Sequence, residues 1–195
     1  MVRPAKIRIG VMPGPWPEGP TADEFFWRLT ELCETSAIDS LWLSDRLLGP
    51  AFEPLTALAA AIARTRRLKF GTAVLVLPFR SPILAAKALA TLDVLSGGRI
   101  FPAVGLGVDQ PREWEAAGVP PGTRGARTDE AIAVIRRLWT EAEVTYRGSY
   151  FTLDRVRLLP RGGARSSSSK KTRRANPTSV WSRCRSWSSA TESTY

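Results

Sequence analysis

The chain has 195 residues, 44% of them hydrophobic, which is enough for one domain with a proper core. No apolar run approaches the roughly 20 residues needed to span a bilayer, and the N-terminus lacks the pattern of a signal peptide, so the cytoplasm is the expected compartment. The formal net charge of +10 is unevenly placed: residues 162–195 carry seven Lys/Arg against Glu192, or +6, which leaves only +4 for the first 161 residues and removes the argument for a nucleic-acid-binding body.

KIRIGVM (6–12) has strand character. After a proline-rich loop, Thr21-Ala-Asp-Glu24 fits a helix capping box, and Phe25, Leu29, Leu32 and Ser36 continue that helix at three- to four-residue spacing. SLWLS (40–44) predicts a second strand, and Glu53-Pro54 places proline at a favoured first helical position before LTALAAAIA. LKFGTAVLVL (68–77) is apolar on both faces, as a buried parallel strand should be. Ser81-Pro82 opens a third helix, with Leu84, Ala88, Thr91 and Leu95 on one face and Gly97-Gly98 at its end. RIFPAVGLG (99–107) predicts a fourth strand. A polar segment with a short helix at 111–117 follows, and then TDEAIAVIRRLW (128–139), with Ile132, Ile135 and Trp139 as its buried stripe. VTYRGSYFTLDRVRLLP (144–160) alternates with period two around Gly148 and predicts a hairpin insertion.

Four consecutive strand-then-helix units mean an α/β fold with a parallel sheet, either open and doubly wound or a (β/α)8 barrel. Periodicity does not choose between them. The phosphate-binding fingerprints of open sheets are absent, and the Gly105-Leu-Gly107 pair reads by itself as close packing at a strand end. Histidine is absent, which removes the commonest general base and metal ligand, and Cys33 and Cys184 are too few and too distant for a disulfide framework or a metal site. Cys33 and the tryptophans Trp16 and Trp42 read as packing residues, and Asp109, Glu113 and Glu115 as a solvated polar face.

Several stretches together resemble the luciferase-like monooxygenase superfamily: DSLWLSDRL (39–47), LKFGTAVLVLPFRSPILAAKALATLDVLSGGRI (68–100), AVGLGVDQPREWEAAGVP (103–120), RGARTDEAIAVIRRLWTE (124–141) and VTYRGSYFTL (144–153). They occur in the family's order and spacing over about residues 5–160, and within the superfamily they look most similar to oxidoreductases that use the deazaflavin coenzyme F420, with FMN-dependent members sharing much of the pattern. The resemblance implies a (β/α)8 barrel with its chemistry at the C-terminal ends of the strands. It assigns Asp45 and Arg46 to the catalytic rim, and Ala73, Val74, Gly107 and Val108 to the wall against a bound F420 or FMN ring. Ala73-Val74 aligns with a cis, non-proline peptide of F420-dependent relatives. Many relatives have Asp-His where this chain has Asp45-Arg46. Arginine cannot serve as a base near neutrality, so the roles left to Arg46 are binding an anionic substrate, polarising an oxygen, pairing with Asp45 or reaching solvent.

The expected architecture is therefore an incomplete (β/α)8 TIM barrel of about four βα units plus a hairpin over residues 1–160, with a disordered, Ser/Arg-rich basic tail at 161–195. A shifted reading frame in GC-rich DNA, a natural truncation, or a tail making weak, salt-sensitive nucleic-acid contacts would each produce such an ending. The chain by itself is expected to be weakly active or inactive, because the family's phosphate anchors follow strands seven and eight. Unpaired edges of the first and fourth strands predict self-association. The alternative function is a non-catalytic, basic interaction protein; neither a membrane nor a specific nucleic acid is expected as partner, and the small-molecule substrate is undefined.

Overall fold

The computed structural model describes residues 7–160. The basic tail at 161–195 lies outside the described residues, and so do the three readings of it. Strands β1 (Gly10–Val11), β2 (Ser40–Leu43), β3 (Lys69–Val76) and β4 (Ile100–Gly105) form one parallel sheet in the order β1-β2-β3-β4. Helices α1 (Ala22–Thr35), α2 (Pro54–Arg64) and α3 (Pro82–Ser96) make the crossovers, and the short α4 (Pro111–Ala116) and longer α5 (Arg124–Thr140) follow β4. The antiparallel pair β5 (Val144–Arg147) and β6 (Thr152–Val156) is the expected hairpin. Each strand is added beside the last with no reversal of order, which is how a barrel grows and not how a doubly wound sheet does. Among the described residues no helix is long and apolar enough to cross a membrane.

The strands divide by side-chain parity. Leu41, Leu43, Phe70 and Ile100 face the helices and bury against Phe26, Cys33, Leu58 and Leu92. A second core joins Leu75 to α3, α5 and the hairpin through Leu89, Val134, Leu138 and Leu153. The opposite parity faces the barrel interior, where the Trp42 ring lies over the backbone of β3. A Cβ built on Gly71 would come within 2.2 Å of that ring. Trp42 is half-buried and its Nε1 donates to Ser40 Oγ at 2.9 Å, so the ring can be displaced but not freely. Gly71→Ala is expected to cost about 1–3 kcal/mol by overpacking. In a double-mutant cycle of urea unfolding, a Trp42→Ala background should absorb most of that cost.

Two helix faces differ from the sequence expectation. In α1 the buried stripe is Ala22, Phe26, Thr30 and Cys33, one residue out of phase with Phe25, Leu29, Leu32 and Ser36. Thr30 enters the core because its hydroxyl donates to the Phe26 carbonyl at 2.8 Å, while Phe26 stacks on Trp16. In α3 the chosen face is Ala85, Ala86, Leu89, Ala90 and Leu92, and Leu84 and Leu95 are exposed. That helix is apolar nearly all round, so periodicity does not select a face and packing on the sheet does. The α5 stripe includes Ile135 and Trp139 as expected, but Ile132 is only half-buried and Val134 and Leu138 complete it.

Of the predicted helix ends, Glu53 caps α2 by accepting from Leu55 N at 3.2 Å and Thr56 N at 2.7 Å. Gly97 ends α3 in the left-handed region. The capping box at Thr21 does not form: Gly19–Thr21 is a 3-10 turn, and the Thr21 side chain makes no cap hydrogen bond.

Below the sheet, at the N-terminal ends of the strands, Glu34 accepts from the backbone N–H groups of Arg66, Arg67 and Leu68 at 2.8, 3.0 and 2.8 Å. Burial pushes its carboxyl up, but those three donors and the Arg67 guanidinium outweigh it and hold the group below its ordinary value near 4.5. A carboxylate depressed in the folded state stabilises the fold above its unfolded pKa, and that contribution is lost as pH falls through the folded value. Wild type should therefore lose urea resistance between about pH 5 and about pH 3 more steeply than Glu34→Gln, whose curve lacks this component.

Candidate functional site

The site is built at the C-terminal ends of β2, β3 and β4. Asp45, two residues beyond β2, is 7% exposed. Its Oδ2 accepts from Val76 N at 2.9 Å, and its carboxylate takes the Arg80 guanidinium through Nη2 at 2.9 Å to both oxygens and Nε at 3.2 Å. Arg80 also reaches Glu53 Oε1 at 2.9 Å, so one cation ties the β2 end, the β3 end and the N-terminus of α2 together. Burial raises the Glu53 carboxyl, but Thr56, the Leu55 N–H and Arg80 outweigh it and hold it below its ordinary value.

Arg46 points elsewhere. Its Nε donates to Glu113 Oε1 at 3.0 Å and its Nη2 to Gln110 Oε1 at 2.6 Å. Glu113 Oε1 also lies 3.4 Å from Leu48 N. The loop after β2 is thereby pinned to α4. Adjacent in sequence, Asp45 and Arg46 therefore belong to two separate ion pairs. Glu113 is a correction to the sequence reading. It is 2% exposed and not part of a solvated face, because Arg46 and the Leu48 N–H meet its charge in the interior. Asp109 and Glu115 are exposed as expected, and Asp109 pairs with Arg124 at 3.1 Å. Only the register of a loop against a helix separated by more than sixty positions could have revealed the Arg46–Glu113 pair.

Ala73 and Val74 sit where the β3–β4 ladder breaks. Thr72 pairs with Pro102 and Leu75 with Val104, so two residues of β3 oppose the single Ala103. This is a β-bulge at the rim, braced by Thr72 Oγ1 donating to the Ala103 carbonyl at 2.7 Å. The Ala73–Val74 peptide is cis, as the resemblance implied. Val74 packs beside Gly105, where a Cβ would lie 3.0 Å from Val74 Cγ2. Gly107 has φ +79, and a Cβ there would come within 2.9 Å of Val76 Cγ2, so conformation and space both call for glycine. Beneath it Val76, Trp114 and Val119 form a small core of their own, with Phe79 against the Trp114 ring at 4.6 Å. Leu106 and Val108 are 43% and 46% exposed, so the wall past β4 offers apolar surface at the rim. All six rim residues named from the sequence thus lie at the same end of the sheet.

Residues 10–182 match the family model described as luciferase-like monooxygenase. The chain belongs to this family. An F420-dependent glucose-6-phosphate dehydrogenase of Amycolatopsis mediterranei is 36% identical over 141 residues, covering 66% of this chain and 41% of that enzyme. Among solved structures, monooxygenase RslO1 from Streptomyces bottropensis aligns with a TM-score of 0.74 and 31% identity, covering 82% of this chain and 51% of that one. An F420-dependent secondary alcohol dehydrogenase, solved with an F420-acetone adduct, aligns with a TM-score of 0.68 and 25% identity, covering 83% of this chain and 51% of that one. The luciferase-like chain described here therefore spans about two-fifths to one-half of the length of these relatives. Its fold is the barrel type, incomplete at four parallel strands among the described residues.

Proposed function

We propose that this chain carries the cofactor-facing wall of a flavin- or F420-dependent oxidoreductase, with Asp45 and Arg46 at the catalytic rim and Ala73, Val74, Gly107 and Val108 against the ring. The observation that carries the reading is the partly open apolar wall formed by the β3 bulge, Gly105 at the end of β4 and Leu106 and Val108 just past it, at the strand end where barrels of this family do their chemistry. The residues present fit a flat tricyclic ring. They offer apolar surface in Val74, Leu106 and Val108, with Gly105 and Gly107 letting Val74 and Val76 pack close against the end of the wall.

A bound cofactor of either type would supply hydride transfer or oxygen insertion. The chain's own residues position. Asp45 fixes the ends of β2 and β3 against each other through Val76 N and Arg80. Arg46, with its charge met by Glu113, can orient a polar substrate oxygen, and an arginine side chain is no proton acceptor. The F420-dependent relatives favour F420, and FMN is the second candidate.

Because the chain spans about half of its relatives, we expect weak turnover or none from it alone. The test is a titration of the purified 195-residue chain with F420 and, separately, with FMN, followed by fluorescence. A saturable response to either, weakened by Val108→Glu at an exposed position, is the expected result. A response that Val108→Glu leaves unchanged would move the ring away from this wall. Salt-sensitive DNA binding with no cofactor response would favour the basic interaction protein instead. Rapid turnover with reduced F420 or FMN would overturn the expectation of a weak or inactive chain.

A further inference from the structure

We propose that the cleft between α4 and the loop entering α5 is a subsite for the carboxylate end of a small apolar molecule, with Arg124 as its movable cover. The cleft holds about 400 Å³, within the size range of small-molecule sites. Pro111, Trp114, Val119, Pro120 and Pro121 give it an apolar lining, and Arg124 stands at its side. Asp109 also borders it and directly follows Val108, so the cleft opens beside the wall past β4.

Two donors converge there. Trp114 is 7% exposed, and among the described residues its Nε1 is buried with no acceptor. An indole N–H can only donate, and leaving it unmet in the interior costs more than a hydrogen bond contributes. The Arg124 guanidinium lies 4.6 Å over the same ring and is held there by Asp109, 3.1 Å from Nη2.

The ligand class follows from how weakly that cover is held. The Asp109 side chain is 84% exposed and that of Arg124 31%, and an ion pair so open to water contributes little. Asp109 therefore stands in for an outside carboxylate, which can replace it without loss. Arg124 then shifts off the ring with its new partner. One ligand oxygen keeps the guanidinium, and the other comes within reach of Trp114 Nε1. A neutral alcohol lacks the charge to displace Asp109, and an ammonium group would face a guanidinium of its own sign. Glu115 also borders the cleft, but it is exposed and its repulsion is screened by solvent.

The test is a nuclear magnetic resonance titration of the full 195-residue chain, isotope-labelled at tryptophan, with benzoate and no cofactor. The indole N–H signal lost in Trp114→Phe identifies the reporter. That signal should shift saturably, in the millimolar range expected for so small a probe. Arg124→Gln should weaken binding at least about tenfold, because a charge-assisted bond is lost. Asp109→Asn should strengthen it about two- to fivefold, because the internal competitor is gone. Benzyl alcohol, with the same ring and no charge, should bind at least about tenfold more weakly. Both variants change exposed ends of side chains and should keep the wild-type urea midpoint. A Trp114 signal that benzoate leaves in place would overturn the proposal. So would binding that Arg124→Gln leaves intact or Asp109→Asn weakens, and so would equal binding of benzyl alcohol, which would make the cleft merely apolar.

Discussion

Asp45→Ala is expected to lower the folding stability of this chain by about 3 kcal/mol, seen as a lower urea midpoint with an unchanged slope. The carboxylate is the acceptor for the buried Val76 N–H and for the Arg80 guanidinium, and the side chains of Asp45 and Arg80 are only 5% and 21% exposed. Alanine leaves both donors without that acceptor in the interior, where an unmet polar group costs more than a hydrogen bond contributes. Arg80 keeps Glu53 at 2.9 Å, which holds the loss to the lower end of the range for a broken buried pair. Asp45→Asn retains an acceptor for Val76 and should lose only about half as much. A double-mutant cycle with Arg80→Ala should show strong coupling, and additivity there would mean that the pair is not a unit. The same substitution should abolish any cofactor response, because Asp45 holds the end of β2 against β3 beside the bulge.

Glu113→Ala comes second, at about 2 kcal/mol. Its carboxylate is buried, but Arg46 is 35% exposed and can turn to water once its partner is gone, which limits the penalty. What remains is the lost bond to Arg46, the weaker one to Leu48 N, and the space left beside α4. Glu113→Gln keeps the shape and an acceptor and should recover at least half of the loss in urea unfolding. An equal loss for Gln and Ala would show that charge, and not packing, sets the cost.

The periodic part of the fold was legible in the sequence. β3 read as a buried parallel strand and is one, and Glu53-Pro54 and Gly97 mark helix ends where backbone chemistry demands them. These signals are local: an N–H needing an acceptor, or a left-handed turn. Helix facing was less legible. Thr30 lies in a core that polarity alone would deny it, and α3 offers apolar residues on every side. The rim was reached through family resemblance. Composition and spacing alone gave no reason to join Asp45, Val74 and Gly107, which come together only when three parallel strands end at one level.

By itself the sequence determined the order of elements, the parallel sheet and the concentration of charge after residue 161, because each depends on neighbours a few positions apart. Tertiary structure alone decided that Asp45 pairs with Arg80 and Arg46 with Glu113, and not Asp45 with Arg46. Side chains on successive residues at a strand end diverge, and each finds the charge that folding brings to its own side. It also decided that Glu113 is buried and that Leu84 and Leu95 are exposed. Burial is set by what packs against a residue, and along this chain those partners lie tens of positions away.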